Sequence, residues 1–393
     1  MAYWIINSLI VFALSGLFAG VLIPQILLIA YRKKLFDEVN ERKIHKGLVP
    51  RLGGMAFVPV IMLSIAITMG GNYELHEPEF MIAFGSNVAL MIASFCCMLL
   101  LFLVGLADDL IGIKYKAKFV AQVICAMLLI SAGCWFSTFA GVFGVWSVNP
   151  WFGYPFTAVV IVFVINATNL IDGIDGLCSG LSSITSAIYG ISFLVIGDYA
   201  LAMLSFATLG VLVPFFYYNV FGDVNKHKKI FMGDTGSLTI GLILSILGIM
   251  LYITPNDGEL GFEPAVIAYS PLIVPSFDVI RVYFMRIRHH RSPFLPDKSH
   301  IHHKFLAAGM KPRYTMVTII LISVIFTLFN LVLSRMLNIT FVVLIDAVIW
   351  IGFNYWLDRK IAVYQAKKAA QANPAAEAVK PQAQPKADAV NAE

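Results

Sequence analysis

The chain has 393 residues, of which 59% are hydrophobic and only 13% are charged, and its mean hydropathy is +0.82. This composition excludes an ordinary soluble domain, because apolar runs of membrane-spanning length recur from one end of the chain to the other. The net charge of +5 is modest, so no nucleic-acid partner is expected, and where the charges lie is more informative than their sum.

Hydropathy predicts an all-α, polytopic integral membrane protein with about eleven transmembrane helices. The fifth span is short and is expected to start at Pro155, and the ninth is expected to be broken because it contains Pro271 and Pro275. Residues 1–360 would form the membrane-embedded domain, and residues 361–393, rich in Ala, Pro and Lys, a largely disordered tail. The predicted spans are 4–31, 54–70, 81–106, 118–140, 155–168, 178–197, 200–219, 237–253, 264–285, 315–335 and 339–357.

Lysine and arginine are concentrated in alternate loops, which predicts an N-terminus outside and a C-terminus in the cytoplasm. Arg335, in the short turn before the last span, is the one exception to this pattern. In this topology the polar motifs, which come from separate loops, all fall on the cytoplasmic face of the membrane. That coincidence predicts a single composite site there.

The segment 166–180 places two amides, two carboxylates and three glycines between two apolar runs. Ionisable groups are costly near a membrane helix and are usually functional or paired. Asn169, Asp172 and Asp175 are spaced by three and would share one face of a helix. The alternative is an interfacial turn in which the aspartates act as helix caps.

Asp108 and Asp109 are adjacent carboxylates at the end of the third span. They repel each other unless a cation neutralises them, and Mg²⁺ prefers carboxylate oxygens while retaining waters that a phosphate can displace. The alternative is an acid pair bridged to Lys114 or Lys118.

The segment 231–237, FMGDTGS, opens the eighth span. Backbone N–H groups at a helix start favour phosphate binding, although Asp234 or Thr235 could instead be a simple N-cap. An earlier segment with Gly53 and Gly54, which includes His45 and Arg51, enters the second span from the same side.

Three histidines, His300, His302 and His303, follow a strongly basic loop. Their spacing is not the i, i+4 pair of a helical zinc site, and imidazoles among Arg and Lys favour a phosphate chain as the ligand. A loop that lies on anionic lipid headgroups is the alternative.

Together, the aspartate pair, NATNLIDGIDGL, FMGDTGS and HIHH resemble, in order, the motifs of the polyprenyl-phosphate N-acetylhexosamine-1-phosphate transferases (glycosyltransferase family 4). The resemblance runs from about residue 45 to residue 303 and implies ten or eleven transmembrane helices with a cytoplasmic active site. Because Ile301 interrupts the histidines after the run SPFLPD, the branch that uses UDP-GlcNAc is favoured. The branch that uses UDP-MurNAc-pentapeptide is the alternative.

The resemblance implies a role for each matched residue. Asp234 and Asn169 would bind Mg²⁺, for which Mn²⁺ could substitute. The predicted catalytic residues are Asp108, Asp109, Lys118, Asp172 and Asp175, and the predicted substrate-binding residues are His45, Arg51, Asn166, His300, His302 and His303.

The implied reaction joins a UDP-N-acetylhexosamine to undecaprenyl phosphate in the bacterial inner membrane, releases UMP and initiates a cell-envelope glycan such as O-antigen. A homodimer is left open. From another class, an ion-coupled transporter would place its acids at mid-depth, where Asp346 is one of few candidates.

Overall fold

The computed structural model describes residues 1–36, 49–75, 88–255, 258, 260–290 and 299–372, and these residues form a helical bundle. Short 3₁₀ turns lie at Gly53–Ala56, Val142–Gly144 and Ser270–Leu272. The α-helices are α1 Ala2–Lys33, α2 Phe57–Glu74, α3 Val88–Ile111, α4 Tyr115–Ser131, α5 Pro150–Ile171, α6 Leu177–Ile196, α7 Tyr199–Val220, α8 Gly233–Ile253, α9 Pro264–Tyr269, α10 Ile273–Arg288, α11 Ile301–Ala307, α12 Pro312–Leu333 and α13 Ile339–Ala372.

Within the described ranges, ten helical segments are long and apolar enough to cross a membrane, so the chain is a multi-pass membrane protein. The prediction of about eleven spans differs from this number at 118–140. The helix there, α4, has only 17 residues, and the chain turns at residues 132–133. The predicted disordered tail begins within α13, and its part beyond residue 372 lies outside the described residues.

The start of α5 corrects the prediction that Pro155 begins the fifth span. The helix begins at Pro150, and the Asn149 side chain caps it by accepting a hydrogen bond from the Trp151 amide at 3.0 Å. Pro155 lies inside the helix, and the hydropathy profile did not predict the one and a half turns that precede it. The span is therefore 22 residues long and not short.

The ninth predicted span is interrupted where its prolines predicted, because α9 and α10 are separated by a 3₁₀ turn around Pro271. Broken backbone inside a membrane needs other hydrogen-bond partners. Tyr189 on α6 donates to the Ala268 carbonyl, and Ser323 on α12 donates to the Pro271 carbonyl at 3.2 Å. Neighbouring helices thus satisfy the backbone groups that the break releases.

Helix α8 lies at the centre of the bundle and is buried along nearly its whole length. A helix that is apolar on every side is expected to be surrounded by other helices. Glycines allow the closest contacts. A Cβ at Gly105 on α3 would lie 2.5 Å from Thr235 Cα, and one at Gly54 would lie 2.1 Å from the Gly236 nitrogen.

The polar motifs meet at one end of the bundle, which we call the polar end. Asp108 is in the last turn of α3, Lys118 in the first turn of α4, Asn169 in the last turn of α5 and Asp234 in the first turn of α8. Antiparallel neighbours bring these turns together, so the predicted convergence on a single face is confirmed.

Candidate active site

Asp109 holds the first turn of α8. Its carboxylate accepts hydrogen bonds from the amides of Asp234 (2.8 Å) and Thr235 (2.9 Å) and from the Thr235 hydroxyl (2.6 Å). Unpaired N–H groups at a helix start need an acceptor, and a negative charge there also complements the helix dipole. The cap therefore comes from another helix and not from Asp234 or Thr235, which was the alternative considered for this motif.

Lys118 lies between two carboxylates from different helices. Its Nζ is 2.8 Å from Asp234 Oδ2 and 3.2 Å from Asp108 Oδ2. Asp108 also accepts a hydrogen bond from the Ile113 amide at 2.8 Å, which fixes the carboxylate at the end of α3. The acid pair thus divides its contacts: Asp108 faces a cation and Asp109 faces a backbone.

Backbone pairing brings Arg51 to the same place. The segment before α2 runs beside the segment before α8, with the Phe231 amide donating to the Pro50 carbonyl and the Gly53 amide donating to the Phe231 carbonyl, both at 2.9 Å. Arg51 Nη2 then lies 3.8 Å from Asp234 Oδ1. Two cationic side chains consequently face Asp234.

The chain leaves the helical conformation between α5 and α6, so Asn169, Asp172 and Asp175 do not share a helical face. Asn169 donates from Nδ2 to Ser237 Oγ on α8 at 2.7 Å, which leaves its Oδ1 as the acceptor end of the amide. Asp175 pairs with Lys229 at 2.5 Å. Burial raises the pKa of Asp172 to about 7, and the charge of Arg51 opposes this rise.

Asn166 lies one turn deeper in the bundle than Asn169. Its Nδ2 donates to Gln122 Oε1 on α4 at 2.7 Å and to the Val162 carbonyl. These contacts join α5 to α4 below Lys118. The predicted role of Asn166 in substrate binding stays a prediction.

The first of the histidines, His300, contacts a second acid, Asp278 on α10. His300 Nδ1 is 2.8 Å from Asp278 Oδ2, and Asp278 Oδ1 accepts from the Ile301 amide at 3.0 Å and from Arg281 at 2.7 Å. These bonds fix the first residues of α11, the short helix that carries His302 and His303.

His302 connects α11 to the turn between α5 and α6. A Cβ at Gly173 would lie 2.1 Å from His302 Nε2, so the ring fits only because residue 173 has no side chain. Burial lowers the pKa of His302 to about 3. The His303 ring lies 4.2 Å from the His302 ring, and His45 is outside the described residues.

The residues present fit a site for Mg²⁺ that is completed by water and substrate. Within the described part of the chain, no three His, Cys, Asp or Glu side chains converge on one point. Mg²⁺, however, usually takes one or two carboxylates and keeps several waters or phosphate oxygens. The ammonium of Lys118 already lies between Asp108 and Asp234, so this space accommodates a positive charge.

Residues that the motifs did not identify hold several parts of the site. Asn219 accepts from the Gly176 amide at 2.6 Å and donates to the Ile230 carbonyl at 2.8 Å, which joins the end of α7 to both polar segments. Asp278 and Arg281 anchor the histidines. An acid in an apolar helix is the signal that could have identified Asp278.

Comparisons of the sequence with known proteins indicate its family. The model of the Glycosyl transferase family 4 matches residues 91–252. The undecaprenyl-phosphate alpha-N-acetylglucosaminyl 1-phosphate transferase of Yersinia pestis is 32% identical over 78% of this chain and 79% of its own length. The probable undecaprenyl-phosphate N-acetylglucosaminyl 1-phosphate transferase of Bacillus subtilis is 32% identical over 84% and 86%, and the Escherichia coli K12 relative, which has the same name as the Yersinia protein, is 31% identical over 75% of each chain.

Proposed function

Because the chain belongs to the Glycosyl transferase family 4, we propose that it transfers N-acetylhexosamine 1-phosphate from a UDP-sugar to undecaprenyl phosphate. The names of the relatives support GlcNAc 1-phosphate as the transferred group. The observation that carries the proposal is the Lys118 bridge between Asp108 and Asp234, which gathers acids and cations from three helices at the polar end.

The reaction requires two anionic substrates to approach each other. An oxygen of undecaprenyl phosphate attacks the sugar-linked phosphorus of the UDP-sugar, a P–O bond forms, and the P–O bond to UMP breaks. Such transfers depend chiefly on positioning and on charge stabilisation. Lys118 and Arg51 supply positive charge beside Asp234, and Lys229 supplies it beside Asp175; these charges would lower the repulsion between the phosphates.

We infer that Asp234 and Asn169 hold Mg²⁺, or Mn²⁺ in its place, with Asp108 close by. The bound ion would neutralise charge on the diphosphate and orient it. Asp234 fits this role because its carboxylate already faces two cationic side chains and its backbone is fixed by Asp109. Lys118 would then exchange part of its contact with Asp234 for contact with the diphosphate.

The polar end is proposed to face the cytoplasm of the bacterial inner membrane. The positive-inside rule supports this orientation, because the basic segments around residues 32–34, 114–118, 226–229, 281–290 and 299–313 adjoin that end. The N-terminus would then be outside and the C-terminus inside. A homodimer stays a prediction.

Release of UMP tests the proposal directly. Purified protein with Mg²⁺, undecaprenyl phosphate and UDP-GlcNAc is expected to release UMP, and the reaction is expected to stop in EDTA or in Asp234→Asn. Comparing UDP-GlcNAc with UDP-GalNAc and UDP-MurNAc-pentapeptide identifies the sugar. Full activity in EDTA would contradict the metal assignment, and no UMP from any of the three donors would contradict the proposed reaction.

A further inference from the structure

The histidine helix α11 is held on a second side by α13. Lys304 lies on α11, two residues after His302, and only 7% of it is exposed. Its Nζ donates to Asn354 Oδ1 at 3.0 Å and pairs with Asp358 Oδ1 at 2.8 Å. Both partners lie in the part of α13 nearest the polar end.

Packing contacts extend this junction towards the end of α11. The rings of Phe305 and Phe353 lie 6.2 Å apart, with Phe305 buried. Gly309, at φ +89°, ends the turn after α11, and a Cβ there would lie 2.4 Å from the Tyr364 ring. The extension of α13 beyond the apolar span therefore covers α11 and its following turn.

A buried ammonium is costly unless its charge and its hydrogen bonds are matched. Leu or Met in place of Lys304 would fill the same space without this cost, so the burial is not explained by packing alone. The charged hydrogen bonds are directional, so they fix the position of α11 against one turn of α13.

We propose that Lys304, Asn354 and Asp358 form a clamp that positions His302 and His303 for the diphosphate of the UDP-sugar. The proposal rests on the proposed function. Asp278 fixes the start of α11 and the clamp fixes its far side, so the clamp sets the rotation of the helix about its anchored end. Because His302 touches Gly173, a rotated α11 also disturbs the turn that carries Asp172. The clamp residues are positioning residues, since they contact α11 and not the reacting groups.

The test compares Lys304→Met with Lys304→Arg. The matched control is Lys311→Met, at an exposed lysine just before α12. In Lys304→Met the KM for the UDP-sugar is expected to rise about tenfold, since hydrogen bonds to charged groups contribute on that scale. The KM for undecaprenyl phosphate should not change. Lys304→Arg should recover most of the loss, and Lys311→Met should behave as the parent protein.

Hydrogen exchange of residues 299–309 supplies a readout that does not depend on activity. The clamp predicts faster amide exchange there in Lys304→Met, with unchanged exchange in α8. Unchanged exchange and an unchanged KM would overturn the proposal, as would a loss of kcat alone. If Lys304→Met does not fold, Asp358→Asn removes the exposed partner and is expected to give the same changes at smaller size.

The two proposals can fail separately. A parent protein that releases no UMP contradicts the proposed function, and the exchange comparison then decides whether the clamp exists. A parent protein that releases UMP, with variants that match it in KM and exchange, contradicts only the clamp.

Discussion

Replacing Asp109 with asparagine is expected to destabilise the protein, because this carboxylate accepts three hydrogen bonds at the start of α8. Asparagine offers one acceptor oxygen and one NH₂ group. With the oxygen placed where Oδ2 accepts two bonds, the NH₂ group faces the Asp234 amide, and one buried donor loses its partner. That loss costs about 1–3 kcal/mol. Removing a negative charge from a helix start costs about 0.3–1 kcal/mol more.

Asp108→Asn is the matched comparison, because the neighbouring carboxylate has different partners. Asparagine can still accept from the Ile113 amide through Oδ1, so the loss is confined to the charge and the hydrogen bond at Oδ2, and Lys118 keeps its contact with Asp234. Stability should therefore stay close to that of the parent protein. Activity should fall by about 10²–10³, the usual cost of removing one electrostatic contact from a preorganised site.

The assay combines thermal unfolding in detergent with UMP release, corrected for the folded fraction. Asp109→Asn should unfold at a lower temperature and Asp108→Asn should not. If Asp109→Asn unfolds like the parent protein but loses activity, Asp109 acts on the substrate and the capping interpretation is wrong. If both variants lose equal stability, the division of roles between the two acids is wrong.

Three further predictions test other parts of the bundle. Gly173→Ala should lower activity by at least tenfold because its Cβ would overlap the His302 ring, whereas Gly70→Ala, with open space around it, should have no effect; the UMP assay measures both. The folded-state pKa of His302 is about 3, below the unfolded value of about 6.5, so the contribution of the neutral imidazole to stability is complete above pH 6.5 and is lost as the pH falls. The free energy of unfolding should therefore be about 2 kcal/mol lower at pH 5 than at pH 7. The variant His302→Gln should lack this difference. Asp346→Asn should keep the hydrogen bonds from Tyr269 and Asn330 and leave the unfolding temperature nearly unchanged. Asp346→Leu should lower the unfolding temperature, since two buried donors lose an acceptor. Equal unfolding temperatures would show that these two bonds do not stabilise the interruption between α9 and α10.

The sequence predicted what depends on local chemistry. Pro271 and Pro275 predicted the broken span, and the spacing of the apolar runs predicted that the four polar motifs lie at one end of the bundle. The division of roles between Asp108 and Asp109 could not be predicted, because helical periodicity sets the angle between neighbours but not which partner each meets. The partner of Asp109 is 125 residues away.

Other residues were missed because their partners are also far away in the sequence. Asp278 is 22 residues from its partner His300, and Asn354 is 50 residues from its partner Lys304, so Asp278 and Asn354 each looked like an isolated polar residue in the sequence. The starting point of α5 was missed for a different reason. Trp151 and Tyr154 flank Gly153, and a hydropathy profile does not distinguish this first turn from an interfacial loop, whereas the cap at Asn149 does.

The glycine contacts of α8 limit how the enzyme can open. At Gly54 and Gly105 the backbone of α8 touches its neighbours with no intervening side chain, so α8 cannot slide without carrying α3 and the start of α2 with it. Helix α11, in contrast, contacts its neighbours through side chains, polar at Asp278 and Lys304 and aromatic at Phe305, and such contacts can rearrange without moving a backbone. A nucleotide is therefore expected to enter and leave on the histidine side, while α8, which carries the proposed metal ligand Asp234, stays in place.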